Sequence, residues 1–138
     1  MQLKVELLTI PPKTTSRVQP LDVYGFRPWK RYFRMCSKRV LIDMIDFELF
    51  HRENCIMLQS LVFRQFTSHR DTNLWKYSFY KSGCSDEKPD VFPDPVEFAF
   101  PKNALYRDRC EPRKRQFVRC SWCKDNLCFD CFVTNYHN

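Results

Sequence analysis

The feature that most constrains this chain is a run of cysteines near its C-terminal end. Two C-x-x-C pairs, Cys120/Cys123 and Cys128/Cys131, fall within twelve residues. The spacing lets both thiolates of a pair converge on one tetrahedral ion, as in structural zinc sites. An accidental group of core thiols would not be expected to form two such pairs. The segment therefore predicts a metal-stapled fold, and thiolate ligands without visible redox machinery favour zinc.

The separation between the two pairs is short, and it leaves two ligand schemes open. In the simpler scheme, the four thiolates of both pairs bind a single ion. In the other, the pairs are interleaved between two ions, and each pair recruits one more distant residue. The interleaved ligand sets are Cys120, Cys123 and His137 for one ion, and Cys110, Cys128 and Cys131 for the other.

Each interleaved set has three evident donors. Arg113 stands where a C-x-x-C pair begun at Cys110 would place its second thiol. Either an upstream residue such as Cys84 supplies a further ligand, or one site is degenerate. No carboxylate or histidine base is placed beside an open position, so the expected zinc is structural and not catalytic.

The cellular compartment decides whether the cysteines of this chain are expected to form disulfides or to stay reduced. The N-terminal residues carry an acid, Glu6, and lack a long apolar core, which argues against a signal peptide. No run approaches the roughly 20 apolar residues of a membrane span. An intracellular chain keeps its thiols reduced, so metal ligation is expected instead of disulfides. Cys36 and Cys55 fall on apolar faces of predicted helices and are interpreted as core thiols.

Three helical patterns follow one another between residues 26 and 83. From Phe26 to Val40 the apolar positions recur at intervals of three and four residues. A second helix is predicted over about 51–66, and a third from a cap at Asp71–Thr72 to Gly83. Residues 3–10 predict a single strand ahead of them. The fold class is therefore α+β, with one strand and about three helices followed by a small zinc-stapled module.

The composition changes at Cys84, where a proline-rich segment begins. Residues 84–101 contain four prolines, which predicts a linker or an extended crossover, with a possible short strand at Val96–Phe100. The expected organisation is a helical part over 1–83, a linker over 84–101 and a cysteine-rich zinc-binding domain over 102–138.

The charge balance favours a polyanionic partner such as DNA. The net charge is +7, from 23 Lys and Arg against 16 acids. Basic residues recur on the first long helix opposite its apolar positions, and a second basic patch precedes the cysteine pairs. The plainer interpretation is a solvated helix face on an ordinary basic protein. The candidate nucleic-acid contacts are Arg27, Lys30, Arg31, Arg34, Lys38, Arg113, Lys114 and Arg115.

A proline-braced stretch precedes the first long helix. Three prolines, Pro11, Pro12 and Pro20, fix φ and remove backbone donors, so neither a helix nor a central strand is expected to run through residues 10–22. The stretch ends on Asp22, close to the start of the helix. A stiff loop that fixes a carboxylate suits a metal-binding acid, but one carboxylate is not a catalytic site.

The stretch Ile-Pro-Pro-Lys-Thr-Thr-Ser-Arg-Val-Gln-Pro-Leu-Asp at 10–22 resembles a motif of the pogo/Tigger branch of mariner-like DDE transposases. The resemblance implies an RNase H-like core in which Asp22 is the third catalytic acid and helps to hold two divalent ions, usually magnesium. Its first two acids would lie upstream, where this sequence has few residues. The expectation is a catalytically incomplete C-terminal fragment with an orphaned Asp22, in which magnesium binds only if a complete core supplies the missing acids.

The tail from about Pro95 to His137 is similar to the cysteine-rich C-terminal domain of nematode Tc-five-type transposases. It also resembles the latter half of ZZ and B-box fingers, which use the interleaved two-zinc arrangement. The likeness implies a nuclear, transposase-derived protein that binds DNA and has neither a membrane nor a small-molecule partner. The alternatives are a ZZ- or B-box-like module that binds a protein partner, and a non-functional transposon remnant.

Overall fold

A computed structural model describes residues 6–7, 9, 11–103, 106–107, 110 and 113–137. This part of the chain is rich in helix and carries two small antiparallel sheets, so the α+β class is confirmed. The helices are α1 Thr15–Val18, α2 Phe26–Ile42, α3 Arg52–Phe66, α4 Thr72–Lys81 and α5 Pro95–Ala99. The strands are β1 Tyr106–Arg107, β2 Lys114–Arg115, β3 Val118–Arg119 and β4 Asn126–Leu127. The predicted strand at 3–10 lies mostly outside the described residues, and the RNase H-like core stays a prediction.

The three long helices, α2, α3 and α4, lie where the apolar periodicity predicts them. The buried face of α2 is wider than predicted, because α3 and α5 both pack on it. Tyr32, which the predicted apolar positions omit, is fully buried, whereas Trp29 and Phe33 are only half-buried. Cys36 is fully buried, and Cys55 on α3 is half-buried, consistent with core thiols.

The proline-braced stretch is more helical than expected. One turn of helix, α1, fits between the prolines, and a π-helical turn at Leu21–Gly25 then runs directly into α2. Pro20 caps that turn, where a missing N–H costs nothing. Gly25 allows the turn to lie against α4, since a Cβ there would be 2.8 Å from Trp75 Cζ3. No helix runs through the whole of residues 11–22, as predicted, because α1 ends at Val18 and Gln19 has an extended backbone.

The proline-rich segment contains a helix where a short strand was considered. The Asp94 carboxylate accepts a hydrogen bond from the backbone N–H of Val96 at 2.7 Å, and Pro95 occupies the first turn. Both are helix-start signals. Helix α5 then buries Val96 and Ala99. The strand at Val96–Phe100 is wrong because these apolar residues meet the core at helical spacing.

One continuous hydrophobic core joins the helices to the cysteine-rich segment. It contains Tyr32 of α2 and Phe66 of α3 together with Phe117 and Phe132 from the C-terminal part. The division into 1–83, 84–101 and 102–138 stays a prediction. No helix among the described residues has the length and apolarity needed to cross a bilayer.

Candidate metal centres

A short hairpin presents the first cysteine pair. Strands β3 and β4 pair antiparallel, and their connecting loop carries Cys120 and Cys123. The loop closes through the Lys124 N–H, which donates to the Cys120 carbonyl at 2.9 Å, and Lys124 itself has a φ of +63°. The N–H of Trp122 lies 3.4 Å from Cys120 Sγ. This backbone contact fixes the position of the Cys120 sulfur in the loop.

A second turn presents the other pair. A π-helical turn at Asp130–Thr134 follows Cys128 and carries Cys131. It folds the chain back so that the His137 N–H donates to the Phe132 carbonyl at 3.0 Å. The turn therefore separates the Cys128/Cys131 pair from His137, which returns to the hairpin that carries Cys120 and Cys123.

The six predicted ligands form two separate groups. The donor atoms of Cys120, Cys123 and His137 lie within 4.8 Å of one another, and so do those of Cys110, Cys128 and Cys131. This grouping matches the interleaved scheme and not a single site made from both C-x-x-C pairs.

The spacing within each group fits a tetrahedral zinc ion. Cys110 Sγ lies 3.7 Å from Cys128 Sγ and 4.0 Å from Cys131 Sγ. Two sulfurs on a tetrahedral zinc, each about 2.3 Å from the ion, stand about 3.8 Å apart. Cys123 Sγ lies 3.5 Å from His137 Nε2, close to the roughly 3.6 Å that a sulfur and an imidazole nitrogen would have there. Thiolate and imidazole donors are also the types that suit zinc.

The protonation behaviour of the thiols differs between the groups. Burial raises the pKa of Cys128, but hydrogen bonds from the Cys131 N–H and from the thiols of Cys131 and Cys110 outweigh it, so the pKa of Cys128 is lowered. Burial and the neighbouring Cys120 raise the pKa of Cys123, against an opposing hydrogen bond from the Asp125 N–H. Of these two thiols, Cys128 is therefore the more readily deprotonated.

The sequence suggested Cys84 as a further ligand, and the structure places it elsewhere. Its side chain is exposed, and its Sγ lies 3.6 Å from the Val18 carbonyl of α1. Among the described residues, each group therefore contains three side-chain donors. Each group therefore supplies three of the four ligands of a tetrahedral zinc site.

Helix α3 supports the first group through a residue that the sequence reading missed. Gln65 is fully buried, and its Nε2 lies 3.6 Å from Cys120 Sγ. Its Oε1 accepts a hydrogen bond from the Ser121 N–H at 2.7 Å. A single amide side chain inside the apolar stripe Leu58, Leu61, Val62, Phe66 was the available signal, since a buried amide needs partners.

Four of the predicted DNA contacts form one exposed line, which we call the α2 basic stripe. It consists of Arg27, Lys30, Arg34 and Lys38. These positions lie within one narrow arc of the helix and span about 16 Å along its axis. Among the described residues none of the four has an ion-pair partner.

The other predicted contacts are engaged within the protein. Arg31 pairs with Asp94 at 2.7 Å, and Arg115 pairs with Asp43 at 2.6 Å. Lys114 pairs with Asp130 beside the second cysteine group, where this hydrogen bond raises the pKa of the lysine. Arg113 is exposed and also interacts within the protein.

Asp22 stands apart from both groups. Asp22 is exposed and lies in the π-helical turn ahead of α2. In the described part of the chain no second acid, cysteine or histidine joins it in a group that could hold a metal. The structure therefore gives its predicted catalytic role no partner.

The described residues thus form a cysteine-rich C-terminal segment, packed on helices, that could hold two metal ions. Residues 75–138 match the family described as the Tc5 transposase C-terminal domain, which supports the resemblance of this part of the chain to a Tc5-type transposase. Neither the curated proteins nor the solved structures gave a significant match. The family match begins within α4, so it takes in α5 as well as both cysteine groups.

Proposed function

We propose that this chain is a transposase-derived, nuclear DNA-binding protein whose C-terminal part is stabilised by two structural zinc ions. The observation that carries the proposal is the pair of three-donor groups inside the Tc5 transposase C-terminal domain. The family supports action on DNA, and the motif at 10–22 supports an origin in the pogo/Tigger branch. The groups hold the C-terminal part together, because each ties chain segments that lie 14 to 21 residues apart.

In this proposal the zinc does not catalyse a reaction. When bound, zinc supplies a fixed tetrahedral link between chain segments. Side chains of this chain position the ligands and balance their charge. Gln65 orients the Cys120 loop, and Lys114 places a positive charge beside Cys110 and Cys128. The carboxylate of Asp130, beside the second group, is held in an ion pair with Lys114.

The zinc proposal is tested by the metal content of the purified full-length chain. The expected content is two zinc ions per chain. Cys123→Ser and Cys131→Ser should each remove one ion, because they belong to different groups. Cys84→Ser is the matched control and should leave two. A wild-type content of one, lost in both variants, would instead support a single site of four thiolates.

The DNA proposal is tested by titrating duplex DNA over a range of salt concentrations. Phosphate contacts predict that affinity falls steeply with salt. The double variant Lys30→Gln/Arg34→Gln should flatten the slope of log K against log salt by about 1.8, or about 0.9 for each lost contact. Lys81→Gln, an exposed lysine at the end of α4, is the control with an unchanged stripe. Indifference of the wild-type protein to DNA would favour the protein-interaction alternative.

We also propose that the chain has no nuclease activity of its own. The support is the isolation of Asp22 among the described residues. Incubation of supercoiled plasmid with the purified protein and magnesium or manganese should leave it intact. Cleavage that disappears in Asp22→Ala would overturn this part of the proposal.

A further inference from the structure

A cleft lies beside the first cysteine group, on a surface that the α2 basic stripe does not include. Its volume is about 690 Å³, and it opens between the turn ahead of α4, helix α5 and the Cys120 loop. We call it the Trp122 cleft. Its lining residues are Ser68, His69, Arg70, Phe98, Ser121, Trp122 and Lys124.

Positive charge is concentrated at this cleft. The guanidinium of Arg70 lies 3.7 Å from the centre of the Phe98 ring, and that of Arg119 lies 4.6 Å from the same centre. Asp71 pairs with Arg70 at 3.1 Å, which leaves Arg119 and Lys124 as the excess charge. No described lining residue is acidic. Both guanidiniums contact the same ring, and an anion bound beside them offsets their mutual repulsion.

The cations are held in place by the fold. Arg119 Nε–H donates to the Lys124 carbonyl at 3.0 Å, which ties the arginine to the loop it faces. Burial lowers the pKa of Arg70, with Asp71 opposing this effect and Arg119 adding to it. A site whose charges are positioned beforehand loses little entropy when its ligand binds.

A buried hydroxyl provides an independent sign of a ligand. Ser121 is only 4% exposed and lines the cleft, and its Oγ has no hydrogen-bond partner among the described residues. Its backbone N–H is already committed to Gln65. A buried polar atom without a partner is rare in folded proteins. Rotation of the Ser121 side chain about its Cα–Cβ bond would turn the hydroxyl towards the cleft, where an oxygen of a bound anion becomes its partner.

Trp122 forms a fixed wall of the cleft. Its indole N–H donates to the Arg64 carbonyl at 2.7 Å, and the Arg64 guanidinium lies 5.3 Å from the ring centre. The ring is nevertheless 41% exposed. An exposed but immobilised aromatic ring beside arginines is typical of surfaces that contact nucleic acids.

We infer that the Trp122 cleft binds a phosphate group of the DNA backbone, through Arg70, Arg119, Lys124 and the Ser121 hydroxyl. The inference rests on the proposed DNA-binding function and adds a second contact region to the α2 basic stripe. A phosphate group fits best because it has several oxygens, to which the guanidinium N–H groups and a hydroxyl can each donate a hydrogen bond.

The test is the same duplex titration with zinc-loaded, full-length protein and variants of the cleft. Lys124→Gln should weaken binding at low salt and flatten the salt slope by about 0.9. Ser121→Ala should weaken binding at least threefold while leaving the thermal stability unchanged or higher, since it removes an unpaired buried hydroxyl. A purely structural role of Ser121 would not produce that combination. Lys81→Gln is again the control for charge alone.

The outcomes separate this inference from the proposed function. If the wild-type protein shows no salt-dependent DNA binding, both are overturned. If the wild-type protein binds, and Lys124→Gln and Ser121→Ala bind like Lys81→Gln, only the cleft is overturned. Zinc content is measured for each variant, so that a drop in affinity with zinc retained counts in favour of the cleft and a drop only with zinc lost counts against it.

Discussion

The Gln65 side-chain oxygen accepts a hydrogen bond from the Ser121 backbone N–H at 2.7 Å, in the interior of the protein. The other end of the same amide lies 3.6 Å from Cys120 Sγ. One side chain of α3 therefore holds both the backbone and the sulfur of the first cysteine loop. Partners of this kind orient metal ligands from behind.

Replacement of Gln65 by alanine is expected to weaken zinc binding at the first group. Loss of an orienting partner typically lowers metal affinity by about 10- to 100-fold, and the unpaired Ser121 N–H costs about 1–3 kcal/mol of stability. Competition with a chromophoric chelator measures the affinity. Gln59→Ala is the matched control on α3, because Gln59 accepts from Trp29 Nε1 at 2.9 Å, away from the cysteines. Equal zinc affinity in both variants would contradict the role of Gln65.

Replacement of Lys124 by glycine is expected to stabilise the fold. Lys124 has a φ of +63°, which costs an L-residue about 1–2 kcal/mol, whereas glycine adopts it freely and loses about 0.5–1 kcal/mol in entropy. The free energy of unfolding should rise by about 0.5–1 kcal/mol, measured by urea denaturation with zinc present. Lys38→Gly, in the middle of α2, should lower it by a similar amount. If both glycine variants lose stability, the backbone of Lys124 is not strained.

Replacement of Cys36 by serine is expected to reduce stability without changing the metal content. Cys36 is fully buried, and burial raises the pKa of its thiol. A hydroxyl in that place can bond only the carbonyl one turn earlier, as Ser37 and Ser78 do, and burial of this more polar group should cost about 1–3 kcal/mol. The zinc content should stay at the wild-type value, and the native thiol should resist alkylation by iodoacetamide. Rapid alkylation in the folded, zinc-loaded protein would show that Cys36 is not a core residue.

Replacement of Tyr32 by phenylalanine is expected to leave stability unchanged or raise it by up to about 2 kcal/mol. The Tyr32 ring packs against Phe66 and Phe100, but its hydroxyl is buried without a hydrogen-bond partner among the described residues. Tyr136→Phe offers the opposite case, because the Tyr136 hydroxyl lies 2.6 Å from Ser60 Oγ. That variant should lose about 0.5–1 kcal/mol. Thermal unfolding with zinc present measures both, and a clear loss in Tyr32→Phe would indicate a partner for its hydroxyl.

Local patterns in the sequence determined the long helices and the candidate ligands. Apolar spacing of three and four predicts α2, α3 and α4, because side chains at those intervals share one helix face. The C-x-x-C spacing marks Cys120/Cys123 and Cys128/Cys131 as ligand pairs, because two intervening residues are enough to aim both thiols at one ion. Both signals act over a few residues and are therefore readable from the chain alone.

The tertiary structure decided how these pieces combine. It assigned Cys110 and His137 to separate groups, replaced the strand at Val96–Phe100 by α5, and placed Gln65 behind Cys120. Among the described residues it gave the α2 basic stripe no ion-pair partner, whereas Arg31 and Arg115, also predicted as DNA contacts, form ion pairs with carboxylates. Arg31 meets Asp94 63 residues away, and Arg115 meets Asp43 72 residues away. Such partners depend on how distant segments pack, which the spacing of residues along the chain does not encode.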